Sequence, residues 1–331
     1  MRARALEFHA PGVVRVVDVG VADPERGKVL VRTEYSGVSG GTELLAYRGE
    51  IDPHLALDEA IGSLGGTFAF PFRYGYSCVG VVERSLDPAI PEGSRVFAFH
   101  PHQDRFVVAA DDVVEIAGGD PRTATLFPLV ETALQVGLDA GPRLGETVIV
   151  TGLGVVGILA GAMLSRAGAR VIGSDPLAWR REAAKPFGID AVSPPELRAS
   201  IEDATGGAGV SLVVEASGRP EVLDGALALL AHEGEALVCS WYGTKPVPLT
   251  LGGAFHRRRL TIRSTQVSSI PAAQRSRWDR RSRRDAARRL LSELPLEALA
   301  THEFPFDQAA QAFDAIDRGA DGLLHAALRY R

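Results

Sequence analysis

The sequence predicts an α/β protein with a β-rich module and a doubly wound parallel sheet, because its pattern changes once along the chain. Before about residue 125, short β segments are separated by Gly, Pro and Asp. From Glu146 onward, strands alternate with helices of about 10 to 15 residues, which is typical of a parallel sheet covered on both faces. The first β segments are predicted at Val13–Val19, Lys28–Tyr35, Cys78–Glu83, Arg95–Phe99 and Arg105–Val108.

The alternating part begins with a β-branched strand, ETVIVTG, and an apolar helix, VVGILAGAMLSRAG. Further strands are predicted at RVIGSD, DAVSP, VSLVVEAS and EALVCSW, with helices at LAWRREAAKPFG and PEVLDGALALLAHEG. The last part has a strand at 260–267, a basic helical segment at 275–294, the segment THEFPFDQAAQAFDAIDRG and a closing strand, LLHAALRY. We therefore predict a first module over 1–124, an α/β domain over 125–266, and a return to the first module over 267–331.

Composition excludes several classes of protein. The chain has 331 residues, of which 46% are hydrophobic, so it is neither disordered nor fibrous. A net charge of −5 gives no overall attraction to nucleic acid or anionic membranes. Cys78 and Cys239 form no CxxC pair, which excludes a disulfide framework and favours a reducing, cytoplasmic setting. No targeting segment is expected, and the uncharged run 147–164 is interpreted as a strand, a turn and a helix rather than a membrane span.

The stretch TGLGVVG, residues 151–157, has the spacing of a pyrophosphate-binding turn between a strand and a helix. Gly152, Gly154 and Gly157 would provide the tight turn, the close backbone approach and the helix–strand packing. Val155 and Val156 would begin the helix whose free N–H groups face the phosphates. A glycine turn that binds nothing is the alternative.

Asp175 follows Gly157 by 18 residues and ends the next predicted strand. A carboxylate there can accept hydrogen bonds from the adenosine ribose of NAD and would repel the 2′-phosphate of NADP. Arg180 and Arg181 are close enough in sequence to attract that phosphate. We expect NAD as the cofactor, with NADP as the alternative.

The chain resembles the medium-chain dehydrogenase/reductase superfamily of the zinc alcohol dehydrogenase type. The resemblance covers nearly the whole chain, through YSGVSGGTELLAYRG, PEGSRVFAF, GETVIVTGLGVVGILA, VVEASG and FDQAAQAFDAIDRG. It implies a GroES-like catalytic module around a Rossmann domain. GVSGGTE, LVETAL and SWYGTKPVPLTLGGAFHRRRL are similar to the group that includes bacteriochlorophyllide a dehydrogenase, which implies chemistry at a secondary alcohol or ketone.

The sequence departs from this family at the zinc ligands. The usual G-(V/I)-C-G-T-D motif carries a cysteine ligand, whereas this chain has Ser39 and an additional glycine. The histidine of the usual G-H-E motif corresponds to Tyr76, and the lobe with four closely spaced cysteines is absent. Hydroxyl groups are poor zinc ligands, so we expect a zinc-independent enzyme with no metal.

Without a Lewis acid, side chains must handle the proton of the reaction. Tyr76 could donate it from the position of the missing zinc ligand, or could be only an aromatic packing residue. His100 and His102 would share a face if their strand continued through Pro101. They could shuttle protons or hold a metal with Glu43 or Asp104, or belong to a surface loop. Glu43 could be a general base, a substrate anchor or only a partner for Arg48.

The remaining candidates are assigned from the resemblance. It implies that Thr132 contacts the nicotinamide, that Glu131 faces the substrate cleft, and that Ser217 of VVEASG lies by the cofactor. The segment His256-Arg257-Arg258-Arg259 could contact a cofactor phosphate or a substrate carboxylate. The arginines of 275–289 indicate either an anion-binding patch or a solvated amphipathic helix, and the second is favoured because interleaved aromatic residues are missing.

Three functions remain open from the sequence. The first is hydride transfer between nicotinamide and a ketone or secondary alcohol. The second is reduction of an activated C=C bond, as in zinc-free relatives of the quinone and enoyl reductase type. The third is a dinucleotide-binding sensor or scaffold without catalysis. In the enzymatic cases the partner is a small-molecule substrate, possibly anionic. No nucleic acid or membrane partner is expected, and the resemblance implies a homodimer or homotetramer.

Overall fold

The computed structural model describes residues 1–116 and 118–331, and the chain divides into two compact units. The first unit comprises Met1–Pro128 and Arg288–Arg331, and the second comprises Leu129–Ala287. The first unit therefore contains both ends of the chain, and the second is inserted between them.

The predicted strands are present, and the structure adds further strands and helices before Glu146 that the sequence did not predict. The strands are β1 (Arg2–Ala10), β2 (Val13–Gly20), β3 (Lys28–Val38), β4 (Phe72–Arg73), β5 (Cys78–Ser85), β6 (Arg95–Ala98), β7 (Arg105–Ala109), β8 (Val113–Glu115), β9 (Thr147–Thr151), β10 (Arg170–Ser174), β11 (Asp190–Val192), β12 (Val210–Glu215), β13 (Leu230–Val238), β14 (Thr261–Ser264), β15 (His302–Pro305) and β16 (Ala326–Arg329). The α-helices are α1 (Thr42–Arg48), α2 (Pro121–Ala124), α3 (Phe127–Ala140), α4 (Val155–Arg166), α5 (Ala178–Ala184), α6 (Pro194–Thr205), α7 (Pro220–Leu227), α8 (Arg280–Glu293) and α9 (Ala309–Asp317).

The first unit is built on two sheets. The smaller has the order β2-β1-β4, and the larger has the order β15-β16-β3-β5-β6-β8 with β7 also paired to β3. The long strand β3 pairs antiparallel with β5, β7 and β16, so segments from both ends of the chain share one sheet. Phe8 of β1 packs edge-on against Phe313 of α9, with ring centroids 5.3 Å apart, in the core of this unit.

The second unit is a parallel sheet with the order β11-β10-β9-β12-β13-β14. Counted from β9, this is the order 3-2-1-4-5-6 of a doubly wound dinucleotide-binding sheet. All strands are parallel; the chain adds strands on one side of β9 and then, from β12 onward, on the other side. Central strands are buried on both faces, as in the sequence TVIVT, where Val148, Ile149 and Val150 are inaccessible to solvent. The α/β fold class predicted for this region is confirmed.

One predicted helix ends earlier than expected. The segment PEVLDGALALLAHEG was predicted as a single helix, but α7 ends at Leu227 and β13 begins at Leu230. Glu233 has a φ of 58°, a conformation that interrupts regular structure within the segment. The apolar run ALALL fits a helix or a buried strand equally well, so local pattern alone could not locate the boundary.

The basic helix also starts later than predicted, at Arg280 instead of Arg275. Asp279 explains the start, because its Oδ1 accepts a hydrogen bond from Ser282 N at 2.7 Å while Ser282 Oγ accepts one from Asp279 N at 2.9 Å. No helix in the described part of the chain is both long and apolar enough to cross a lipid bilayer.

Candidate active site

The glycine loop of the second unit connects β9 to α4. Gly152 has a φ of 87°, and a Cβ there would lie 2.5 Å from Ser217 Cα. A Cβ on Gly157 would lie 1.9 Å from Gly152 O, so these two positions have no room for a side chain. A Cβ on Gly154 would meet nothing within 4 Å. Open space at Gly154, directly before the start of α4 at Val155 and Val156, fits a ligand phosphate approaching the backbone.

Asp175 lies just after β10 and holds this loop in place. Its Oδ2 accepts a hydrogen bond from Leu153 N, and its Oδ1 accepts one from Leu177 N, both at 2.9 Å. Arg180 lies near the same carboxylate, with Nη1 3.6 Å from Asp175 Oδ2, and its guanidinium stacks over Trp179. The carboxylate suited to a ribose and the arginine suited to a 2′-phosphate are therefore neighbours.

Ser217 follows β12 and belongs to a half-buried cluster around Glu215 that the sequence did not predict. Its backbone N donates to Glu215 Oε1 at 2.7 Å, and its hydroxyl donates to the same oxygen. Tyr242 donates to Glu215 Oε2 at 2.5 Å, and burial raises the pKa of Tyr242. Glu215 is inaccessible to solvent at the carboxyl end of a parallel strand. In the sequence, this cluster is indicated by Glu215, a charged residue at the end of the apolar run VSLVV.

Glu131 and Thr132 lie on α3. Glu131 is buried and is bound within the second unit by Arg283, whose Nη2 lies 3.0 Å from Oε1 and whose Nη1 donates to Gln135 Oε1 at 2.5 Å. Burial lowers the pKa of Arg283, although the Glu131 carboxylate opposes that shift. Thr132 is half-buried. Arg283 of the basic helix therefore faces inward. The interpretation of that helix as solvated does not hold for this residue.

Two further basic residues have structural partners. Arg258 Nη1 donates to the carbonyl oxygens of Ala228 at 3.2 Å and Leu230 at 2.7 Å, where α7 gives way to β13. Arg259 forms an exposed ion pair of 3.0 Å with Glu233. Both arginines thus hold the chain near the α7–β13 connection.

In the first unit, a buried hydrogen-bond chain starts at the serine that replaces the usual cysteine. Ser39 N donates to Glu43 Oε1 at 2.9 Å, and Glu43 Oε2 lies 2.7 Å from His102 Nε2. On the other side of the ring, His102 Nδ1 lies 2.7 Å from Ser36 Oγ, which lies 2.9 Å from the hydroxyl of Tyr330. A neutral imidazole donating to the carboxylate would accept from Ser36, so every polar atom of the ring is satisfied.

Local backbone geometry makes room for this imidazole. Gly75 has a φ of 113°, and a Cβ there would lie 2.6 Å from His102 Cδ2. Glu43 sits in the first turn of α1, directly after the Gly40–Gly41 turn. Both Glu43 and His102 have no exposed side-chain surface. His102 is therefore part of the interior of this unit and not of a surface loop.

Tyr76 lies beside the same chain of groups. It is half-buried and close in the fold to the side chains of Ser39 and Thr42. Burial raises the pKa of Tyr76, and the negative charge of Glu43 raises it further, while the side chains of Ser39 and Thr42 oppose the shift. Tyr76 consequently keeps its proton at neutral pH.

His100 has a different environment from His102. Strand β6 ends at Ala98 and does not continue through Pro101, so His100 and His102 do not share a strand face. His100 Nδ1 lies 2.9 Å from Pro101 O, and its ring stacks on Phe106 with centroids 4.0 Å apart. Burial lowers the pKa of His100 to about 4.

These residues do not fit a zinc ion of the family type. By the sequence resemblance, Ser39 and Tyr76 stand at the ligand positions, where they offer hydroxyl groups, which are poor zinc ligands. Glu43 and His102, which could ligate a metal, bind one another. Across residues 1–116 and 118–331, no group of three or more His, Cys, Asp or Glu side chains is arranged to hold a metal ion.

Comparison with known proteins supports the class of protein that these features indicate. Residues 155–282 match the family described as zinc-binding dehydrogenase. The chain is 26% identical to D-guloside 3-dehydrogenase of Escherichia coli K12, over 82% of this chain and 83% of that protein. It is 25% identical to 2-desacetyl-2-hydroxyethyl bacteriochlorophyllide A dehydrogenase of Cereibacter sphaeroides, over 95% and 94%.

The fold matches solved structures along its whole length. A short chain alcohol dehydrogenase from Escherichia coli CFT073, crystallised with NADH, superposes with a TM-score of 0.77 at 18% identity over 99% of both chains. The predicted combination of a GroES-like module and a Rossmann domain is confirmed. The fold and the sequence relatives together define an enzyme of the dehydrogenase class. The chain is similar to the medium-chain dehydrogenase/reductase superfamily, and within it to the zinc-type alcohol dehydrogenase-like proteins, which supports the resemblance predicted from the sequence.

Proposed function

We propose that this protein is a zinc-independent, nicotinamide-dependent oxidoreductase that interconverts a secondary alcohol and a ketone. The named relatives are dehydrogenases of a guloside and of a hydroxyethyl-bearing bacteriochlorophyllide, which supports an alcohol as the reduced substrate. The observation that carries the proposal is the half-buried Tyr76, which, by the sequence resemblance, stands with Ser39 where zinc-using members of the family have metal ligands.

The glycine loop and Asp175 are the proposed binding residues for NAD. Gly154 would admit the pyrophosphate, the first N–H groups of α4 would bind it, and Asp175 would accept from the ribose. Bound nicotinamide supplies the hydride acceptor or donor of the reaction. NAD is proposed over NADP because the Asp175 carboxylate would repel a 2′-phosphate, although Arg180 lies close enough to bind one.

Tyr76 is the proposed proton donor in the reducing direction. Its raised pKa keeps the hydroxyl protonated, so it can donate a hydrogen bond to a carbonyl oxygen and then its proton to the developing alkoxide. The hydroxyl groups of Ser39 and Thr42 would stabilise the phenolate that remains. Glu43 and His102 would hold Ser39 in position through the hydrogen bond to its backbone N.

Metal analysis of active protein tests the zinc-independent part of the proposal. We expect purified protein to oxidise NADH with at least one ketone from a panel of ketones and enones, with far less than one zinc per chain. Activity should survive dialysis against a chelator. Stoichiometric zinc that activity requires would contradict the proposal. Turnover of enones but not of ketones would show that the second function, C=C reduction, is correct.

A further inference from the structure

The first unit contains a cavity of about 350 Å³ that the proposed chemistry does not use. Its lining includes Leu57, Gly65, Gly66, Arg73, His100 and Gln103. Neither Tyr76 nor Glu43 contributes to the lining. The volume lies in the range of small-molecule sites, about 300 to 1,000 Å³.

The wall of this cavity is held by specific hydrogen bonds. Leu57 N donates to Gly66 O at 3.0 Å, which closes the loop between them. Ser63 Oγ donates to Phe99 O at 2.6 Å and ties the same loop to the end of β6. Asp58 Oδ1 accepts from two backbone N–H groups of the loop, at 2.6 and 2.8 Å. A ligand would therefore meet a preformed wall rather than one it must order.

The lining is rich in donors and carries no negative charge. Arg73 contributes a guanidinium, and no aspartate or glutamate lines the cavity. Within the described ranges, Arg73 forms no ion pair, and the backbone N–H groups of Gly65 and Gly66 donate to no acceptor. A guanidinium and free amides without a nearby carboxylate favour an anionic ligand.

His100 adds a hydrogen-bond acceptor to this surface. Its Nδ1 donates to Pro101 O at 2.9 Å, which leaves the lone pair on Nε2. Stacking on Phe106 fixes the plane of the ring. Because burial lowers the pKa of His100 to about 4, the ring remains neutral at physiological pH and can accept a hydrogen bond from a hydroxyl group.

We propose that this cavity binds a small hydroxylated anion, with its carboxylate or phosphate on Arg73 and a hydroxyl group on His100 Nε2. The ligand class follows from the charge and the donor balance of the lining. The binding site does not depend on the dehydrogenase chemistry proposed above, so it can be tested without turnover.

Calorimetric titration of the full chain tests the anion requirement. D-Glucuronate and D-glucose 6-phosphate are the charged probes, and D-glucose is the neutral one. We expect at least one charged probe to bind at least tenfold more tightly than D-glucose, and the stronger of the two identifies the acidic group. Arg73→Ala should weaken that binding by about 10- to 100-fold, whereas Arg84→Ala, at an exposed arginine outside the cavity, should not.

A second variant tests the hydroxyl contact. His100→Phe keeps an aromatic ring against Phe106 but removes the acceptor. It should weaken binding of D-glucuronate several-fold and leave binding of cyclohexanecarboxylate, which has the same charge and no hydroxyl groups, unchanged. The proposal is overturned if neither charged probe binds the unmodified protein, if Arg73→Ala binds like the unmodified protein, or if His100→Phe affects both carboxylates equally.

Discussion

The glycine loop of the second unit and the Ser39–Glu43 segment of the first unit use glycine and side chains in opposite ways. In the glycine loop, the proposed cofactor site depends on the absence of side chains, because Gly152 and Gly157 have no room for a Cβ. In the Ser39–Glu43 segment, the proposed function depends on which side chains are present, because Ser39 stands where the sequence resemblance places a cysteine ligand. The glycine loop therefore constrains the backbone, whereas the Ser39–Glu43 segment constrains the side chains.

The largest expected effect comes from removing one oxygen atom in the first unit. Tyr76→Phe should lower the rate of ketone reduction by about 10²- to 10⁴-fold, the usual contribution of a positioned proton donor. Stability should change little, because the ring remains. Steady-state kinetics with NADH and thermal unfolding measure the two quantities.

Tyr74→Phe is the matched control for that variant. Its ring centroid lies 6.0 Å from that of Tyr76, and it removes the same hydroxyl group from a buried tyrosine. We expect its rate to stay close to that of the unmodified protein. Equal losses in the two variants would show that Tyr76 acts through packing and not as the proton donor.

In the second unit, substitution of one glycine should reduce stability, and substitution of another should reduce cofactor binding. Gly157→Ala should destabilise the protein by about 1 to 3 kcal/mol, because its Cβ would lie 1.9 Å from a carbonyl oxygen. Gly154→Ala should leave stability unchanged, because nothing lies within 4 Å, yet weaken NADH binding by at least tenfold. Urea unfolding and NADH fluorescence titration separate the two. Unimpaired NADH binding by Gly154→Ala would place the cofactor elsewhere.

A smaller effect is expected on the choice of cofactor. Asp175→Asn should shift the ratio of NADPH to NADH affinity upward by about tenfold, because it removes the negative charge facing a 2′-phosphate. Arg180→Ala should shift the ratio in the opposite direction, since it removes the nearest positive charge. Fluorescence titrations of each variant with NADH and with NADPH give both affinity ratios. If both variants shift the affinity ratio in the same direction, neither residue distinguishes NAD from NADP at the ribose.

The smallest effect concerns pH. The Glu43 charge raises the pKa of Tyr76, so Glu43→Gln should lower that pKa and move the alkaline decline of ketone reduction to lower pH. Asp58 also raises this pKa, but more weakly, so Asp58→Asn should move the decline in the same direction by less. The rate of ketone reduction measured against pH for both variants tests which substitution has the larger effect. A larger shift for Asp58→Asn than for Glu43→Gln would contradict the prediction.

Much of the second unit could be predicted from the sequence because its signals are local. The strand TVIVT, the glycine spacing and Asp175 lie within 30 residues of each other, and hydrophobic period and turn chemistry act over such distances. The same local signals could not locate the end of α7, where an apolar run suits two structures. They also could not show which polar residues would be buried, because that depends on packing between distant segments.

The sequence by itself determined the fold class, the alternation of strands and helices after Glu146 and the spacing of the glycine loop. Tertiary structure decided the partnerships: Glu43 with His102 across 59 positions, and Glu131 with Arg283 across 152. It also separated His100 from His102 and directed His100 into the cavity beside Arg73. The physical reason is that backbone periodicity is encoded by neighbouring residues, whereas a buried charge requires a partner that only the folded chain brings within hydrogen-bond distance.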